Sequence, residues 1–172
     1  MRGGWFVLAL LLGGAGGASA QPYPLPPTEL PFDVSRKENR LEVGVRIIED
    51  RTYYIDLQFS FRDRGDQDRV SKLVGDASRA RDGRYGGIDV PIQLEIFSLS
   101  GTKDWYRLFK GTLLTEGIHA QGASHYSRTI ADVRLIPGTY QIRIMTIFDI
   151  PEFSGTPTRL RVGYDPRFGT FR

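Results

Sequence analysis

The sequence predicts a mostly β protein, an antiparallel immunoglobulin-like β-sandwich of about seven or eight strands with one short helix. Three observations carry this reading. Apolar residues recur with period two in successive runs, clusters of Gly, Pro and Asp separate the runs, and one stretch alone has helical spacing. A closed barrel is the alternative built from the same pattern.

Ahead of the domain, Arg2 supplies a positive start, Trp5 to Leu12 an apolar run and Ala18-Ser19-Ala20 a small-residue exit. These are the three parts of a secretory signal peptide. Cleavage is expected between Ala20 and Gln21, making the protein periplasmic or secreted. A spanning helix needs about 20 apolar residues, and six glycines dilute residues 1–20. No later apolar stretch reaches spanning length, so the mature form is expected to be soluble, with no transmembrane segment. Residues 21–31 hold five of the ten prolines and one charge, the composition of an extended leader. Residues 32–172 then form a single domain, an ordinary size for one core.

Within the domain, Leu41, Val43 and Val45 alternate with Glu42 and Gly44. Tyr53, Ile55, Leu57, Phe59 and Phe61 alternate with Tyr54, Asp56, Gln58 and Ser60. Each run reads as a strand with one buried and one wet face. Further strands are expected at Val90–Leu99, Trp105–Leu114, Tyr126–Leu135, Thr139–Phe148 and Thr158–Tyr164, with Pro91 at a strand start or an edge. The helical stretch holds Val70, Leu73 and Val74 on one face, with Asp66 or Asp68 as its cap and Gly75 as its stop. Asp76 to Gly87 reads as an exposed loop. Leu135-Ile136-Pro137-Gly138-Thr139-Tyr140 turns into a strand with an early tyrosine, the pattern of a sandwich corner whose hydroxyl bonds upstream backbone.

The chemistry is sparse. There is no cysteine, hence no disulfide framework and no acylation site of the lipoprotein kind. After removal of Arg2, 22 basic residues face 20 acidic ones, and Arg62 to Arg69 alternates the two signs instead of forming a basic stripe, which argues against nucleic-acid binding. His119 and His125 are the two imidazoles, and no Gly-x-Ser-x-Gly accompanies Ser124. The spacing gives at most half a zinc site. Asp63, Asp66 and Asp68, with Asp76, Asp82 and Asp89 nearby, are neutralised by Arg62, Arg64 and Arg69 and read as caps and ion pairs, not a calcium loop. No metal, cofactor or catalytic residue is expected. Arg64-Gly65-Asp66 is a tripeptide to which no function is assigned. Trp105, Tyr106, Phe109, Tyr85, Tyr126 and Phe153 are aromatics from which a sugar platform would have to be drawn, most being needed for the core.

Four blocks carry a resemblance: Phe32-Asp33-Val34-Ser35; Asp68 to Gly75; Gly87-Ile88-Asp89-Val90-Pro91-Ile92; and Pro137 to Tyr140 continuing to Asp149-Ile150-Pro151-Glu152-Phe153-Ser154-Gly155-Thr156-Pro157. In this order they resemble a family of uncharacterised secreted proteins and lipoproteins of Gram-negative bacteria, a domain of unknown function. The resemblance implies a periplasmic or exported setting and no established activity. The missing anchor cysteine departs from the lipoprotein members. The expected function is a non-catalytic binding or interaction module with a protein partner, an immunity-type protein being one concrete form. The alternative is a carboxylate-dependent enzyme, or a binding module, acting on cell-envelope carbohydrate. Asp149, Pro151, Glu152 and Phe153 are the candidate binding residues, because prolines and a glycine stiffen that segment between two strands. The competing reading is a rigid inter-strand loop with Phe153 capping the core.

Overall fold

The computed structural model describes residues 23–75, 86–99, 104–115 and 117–165. The expected signal peptide with its cleavage point, Tyr85 and most of the Asp76–Gly87 loop lie outside the described residues. Among the described residues nine strands and one α-helix follow in order: β1 (Thr28–Pro31), β2 (Arg40–Ile47), β3 (Arg51–Ser60), α1 (Arg64–Val74), β4 (Val90–Leu99), β5 (Trp105–Thr115), β6 (Ala120–Gln121), β7 (His125–Leu135), β8 (Gly138–Thr146) and β9 (Thr158–Gly163). A short 3-10 turn, Pro151–Phe153, separates β8 from β9. No described helix is long and apolar enough to cross a membrane.

Two antiparallel sheets pack face to face, one ordered β1-β9-β3-β7-β6 and the other β2-β8-β4-β5. The strand count exceeds the expected one through two short edge elements. The last four residues of the Pro-rich leader pair with β9 as β1, and β6 is a two-residue addition to β7. Neither is long enough to show a period. Without them, the pair β3–β7 and the run β8–β4–β5 keep the neighbours of strands B–E and F–C–C′ in immunoglobulin sandwiches. The first and last strands are exchanged, since β2 pairs with β8 and β9 with β3.

The alternation seen in the sequence places Val43, Val45, Ile55, Leu57, Phe59, Ile92, Leu94, Ile142, Ile144 and Leu160 in the space between the sheets, each at most 5 % exposed. Each such side chain contributes about 1.5–3 kcal/mol on burial. Pro91 sits in an inner strand, yet its partner is Leu114 of β5, and pairing with β8 begins only at Ile92. The missing N–H therefore breaks no ladder bond on the β8 side.

α1 covers the end of the sandwich beside β7 and β3. Its cap is Asp63, not Asp66 or Asp68: the Asp63 carboxylate accepts from the Asp66 N–H at 2.9 Å. Asp66, as the third helical residue, turns back to accept from the Arg62 N–H at 3.0 Å and from the Arg69 side chain. Gly75 ends the helix at φ 83°, a backbone state that L side chains rarely adopt.

Candidate functional site

The outward face of the four-stranded sheet carries a groove of about 460 Å³, lined by Arg40, Glu42, Gln93, Glu95, Lys110, Arg143 and Met145 among others. Strand register explains its floor. Glu42 of β2 lies opposite Arg143 of β8, Arg143 opposite Glu95 of β4, and Glu95 opposite Lys110 of β5. One row thus runs straight across the sheet with charges alternating in sign. Arg143 bonds Glu42 at 2.6 Å and stacks 4.6 Å over the Phe97 ring. Gln141 completes the Glu42 contacts, and Lys110 bonds Glu95 at 2.8 Å. That hydrogen bond, with the fields of Lys110, Arg107 and Arg143, holds the Glu95 carboxyl below its ordinary pKa against a smaller cost of burial.

Above the groove the leader closes the β2 edge. The Arg46 N–H donates to the Pro24 carbonyl at 2.9 Å, and the Tyr23 ring lies on Gly44 where any Cβ would collide with it. Tyr23 in turn meets Trp105 edge-on at 6.4 Å.

The opposite outer face, on the five-stranded sheet, is polar in a different way. Asp56 is 5 % exposed. It accepts from the Thr129 hydroxyl at 2.9 Å and from Arg161 at 3.3 Å, and Arg161 also faces Glu29. Burial pushes the Asp56 carboxyl up, outweighing Thr129, Arg161 and the field of His119. His119 lies 5.8 Å from the Tyr54 ring. His125 opens β7, half-buried, opposite Ser60 with its Nε2 3.3 Å from Gln58. The two imidazoles thus attend different β3 residues and do not converge.

The segment after β8 is tightly held. Asp149 accepts from the Lys37 N–H at 2.8 Å, the Ile150 N–H donates to Ser35 at 2.9 Å, and Arg69 donates to Thr156 at 3.0 Å. Phe153 is 1 % exposed and packs 5.0 Å from Phe59. Pro151 and Glu152 are exposed. Arg64-Gly65-Asp66 is the first turn of α1, its aspartate already engaged by Arg62 and Arg69. No group of three or more His, Asp or Glu side chains suited to a metal ion occurs among the described residues.

Sequence reasoning missed both outer faces. Period two marks Glu42 as outward, but only register brings Glu95, Lys110 and Arg143 into one row with it, and register is a property of strand pairing.

Fold and surface together define the class: an immunoglobulin-like β-sandwich with a charged groove on one sheet. The chain belongs to the family described as Domain of unknown function (DUF5625), which matches residues 29–164. It is similar to a crystal structure of GEBA250068378 from Sulfurospirillum deleyianum, with 25 % identity and a TM-score of 0.70, covering 81 % of this chain and 97 % of that one. A Paenibacillus sp. cycloisomaltooligosaccharide glucanotransferase complexed with cycloisomaltoheptaose matches at 11 % identity and a TM-score of 0.33, over 76 % of this chain and 13 % of that one. No curated protein matches.

Proposed function

We propose that this protein is an exported, non-catalytic binding module that engages a protein partner through the groove on its four-stranded sheet. The observation that carries the reading is the charge row Glu42–Arg143–Glu95–Lys110 on the groove floor. Exposed cross-strand pairs of this kind stabilise a sheet only slightly, whereas a fixed pattern of alternating charge discriminates between partners.

The enzymatic alternative calls for two carboxylates facing one pocket. Glu42 and Glu95 do line the same groove on strands two apart, about 10 Å between strand axes. Arg143 stands between them, however, and each carboxylate already holds a cation. A general acid needs a raised pKa, and Glu95 is held low. Asp56, whose carboxyl is raised, lies on the other sheet. Acid and base roles are therefore not divided within one site, which supports binding over hydrolysis. Asp149, Pro151, Glu152 and Phe153 follow β8 just beyond Met145 at the groove's end, and we assign them the part of a rigid shoulder whose exposed members are Asp149, Pro151 and Glu152.

Affinity capture from periplasmic extract, with wild type beside the Lys110→Glu/Arg143→Glu double variant, tests the proposal. The expected result is a partner held by wild type, released by salt and lost with the variant. A captured set indifferent to the two charge reversals would overturn the groove reading. N-terminal sequencing of the exported product checks the compartment: it should begin at Gln21, and a product beginning at Met1 would refute export by cleavage.

A further inference from the structure

We propose that the open edge of β5 takes up an extended segment of the partner as a fifth strand of the four-stranded sheet, a segment that alternates acidic and apolar side chains. This rests on the binding reading above and specifies where, and by what backbone geometry, the partner docks. An edge strand presents a row of unpaired N–H and C=O groups, and natural sheets shorten, bend or cover such edges. Three edges here are managed in those ways. β1 is four residues long and ends in proline. β6 is two residues long, and β7 beyond it is bent by an irregularity opposite Ile55/Asp56. β2 is covered at Arg46 by Pro24.

β5 differs. It runs for eleven residues and pairs with β4 alone among the described residues; its one irregularity, at Leu108 opposite Ile96/Phe97, still leaves unbroken register from Phe109 to Thr115 against Ile96 to Val90. It also holds four of the nine large apolar side chains exposed among the described residues: Tyr106, Leu108, Phe109 and Leu114.

Charge complementarity selects the occupant. The alternating row ends at the edge on Lys110, whose side chain is half exposed with one carboxylate 2.8 Å away. An ammonium has three donors, so capacity remains for a second carboxylate from a strand laid alongside. Arg107 follows on the same outward face, opposite Phe97. On the inward face the Phe109 ring folds over Gly111 and Leu113 is partly buried against the core, which calls for apolar partners. Successive residues of a strand point to opposite faces, so the incoming segment alternates acid outside with apolar inside, the logic of recognition by strand addition. A second copy of this chain does not fit. Trp105 to Thr115 contains no Asp or Glu, so no register of β5 against itself places a carboxylate opposite Lys110.

The test uses the exported protein and a capped nine-residue peptide of alternating Glu and Val. Controls are the same peptide N-methylated at every second amide, and its Lys/Val counterpart. Amide hydrogen exchange is read by NMR, with Trp105 fluorescence in parallel. The Glu/Val peptide should slow exchange along Phe109–Leu114 and perturb Trp105, while both controls should bind weakly. Lys110→Gln should weaken the Glu/Val peptide by up to about fivefold, the upper size of a cross-strand charge pair. Unchanged exchange along β5 at saturating peptide would overturn the proposal. So would equal binding of the N-methylated peptide, or peptide-free dimerisation that protects β5. Perturbation confined to Arg40, Gln93 and Met145 would overturn strand addition while leaving the groove reading standing.

Discussion

The Tyr140 hydroxyl donates to the Ile136 carbonyl four residues upstream, at 2.9 Å, while its ring is 3 % exposed. This is the corner the sequence predicts at the entry to the strand in the F position. Tyr53 repeats it at the entry to β3, donating to Glu49 at 3.2 Å. Both corners join the two sheets at the same end, since Ile47 opposes Gly138 and Arg51 opposes Leu135, and Arg134 bonds Asp50 across them at 2.9 Å.

Tyr140→Phe keeps the packed ring and strands a carbonyl, so unfolding stability should fall by about 1–3 kcal/mol. Tyr140→Ala adds a cavity, for a loss of about 3–5 kcal/mol. Tyr53→Phe should behave like Tyr140→Phe. Urea denaturation measures all three, and values within about half a kcal/mol of wild type, the range of surface changes, would rule out a structural corner.

The helix cap gives a second expectation. Asp63→Ala removes the acceptor for the Asp66 N–H and should cost about 1 kcal/mol. Asp68→Ala, a non-capping member of the same acidic run, should cost little. Equal losses from the two substitutions would mean that charge density, and not the cap, stabilises this end.

How far these features were legible varies with their physical origin. The core strands were readable almost to the residue, as with Val90–Leu99, because burial on one face imposes period two. The stop at Gly75 was equally plain, since a left-handed end favours glycine. The Asp63 cap was not, because Asp63, Asp66 and Asp68 have the same chemistry and only backbone geometry chooses among them. Asp56 looked like any wet-face residue of an alternating strand. Its burial comes from Thr129 and Arg161, which are 73 and 105 residues away along the chain. The blocks around Ser35, Asp68–Gly75, Ile88 and Asp149–Pro157 meet at one end of the sandwich, through Ile150 to Ser35, Arg69 to Thr156 and Ile88 to Leu73. Their shared pattern is to that extent a structural frame, which is why it spoke of fold more clearly than of function.

Arg128 holds that frame together from inside. It is 1 % exposed and donates to the carbonyls of Val74 at 2.8 Å, Ile88 at 2.6 Å, Thr115 at 3.2 Å and Leu73 at 3.1 Å. A cation at the carbonyl end of a helix is favoured by the helix dipole, and the planar guanidinium reaches several acceptors at once. Arg128→Met should cost about 3 kcal/mol or more, at about 1–3 kcal/mol for each buried acceptor left unpaired. It should also speed amide exchange in the last turn of α1. Arg128→Lys should recover only part of the loss, because an ammonium cannot span the same carbonyls. Full recovery by lysine would show that charge alone is what the site requires.

The final expectation concerns pH and Asp56. Burial raises its carboxyl above the ordinary value of 3.8, despite Thr129, Arg161 and His119. A carboxyl with a higher pKa folded than unfolded binds its proton more tightly in the native state. Its contribution to stability is therefore fully present below the unfolded value of about 3.9, and is lost as pH rises through the folded value. Asp56→Asn cannot ionise, keeps an oxygen to accept from Thr129 and suffers no such loss. The stability of the variant relative to wild type should be constant at the acid end and should increase as pH is raised from about 4 towards neutrality. All other titrating groups are common to the two proteins and cancel in the difference. Paired urea titrations across that range measure it directly. A wild type that gained on Asp56→Asn with rising pH would show that the attraction of Arg161 outweighs the cost of burial, reversing the order of the two effects at this position.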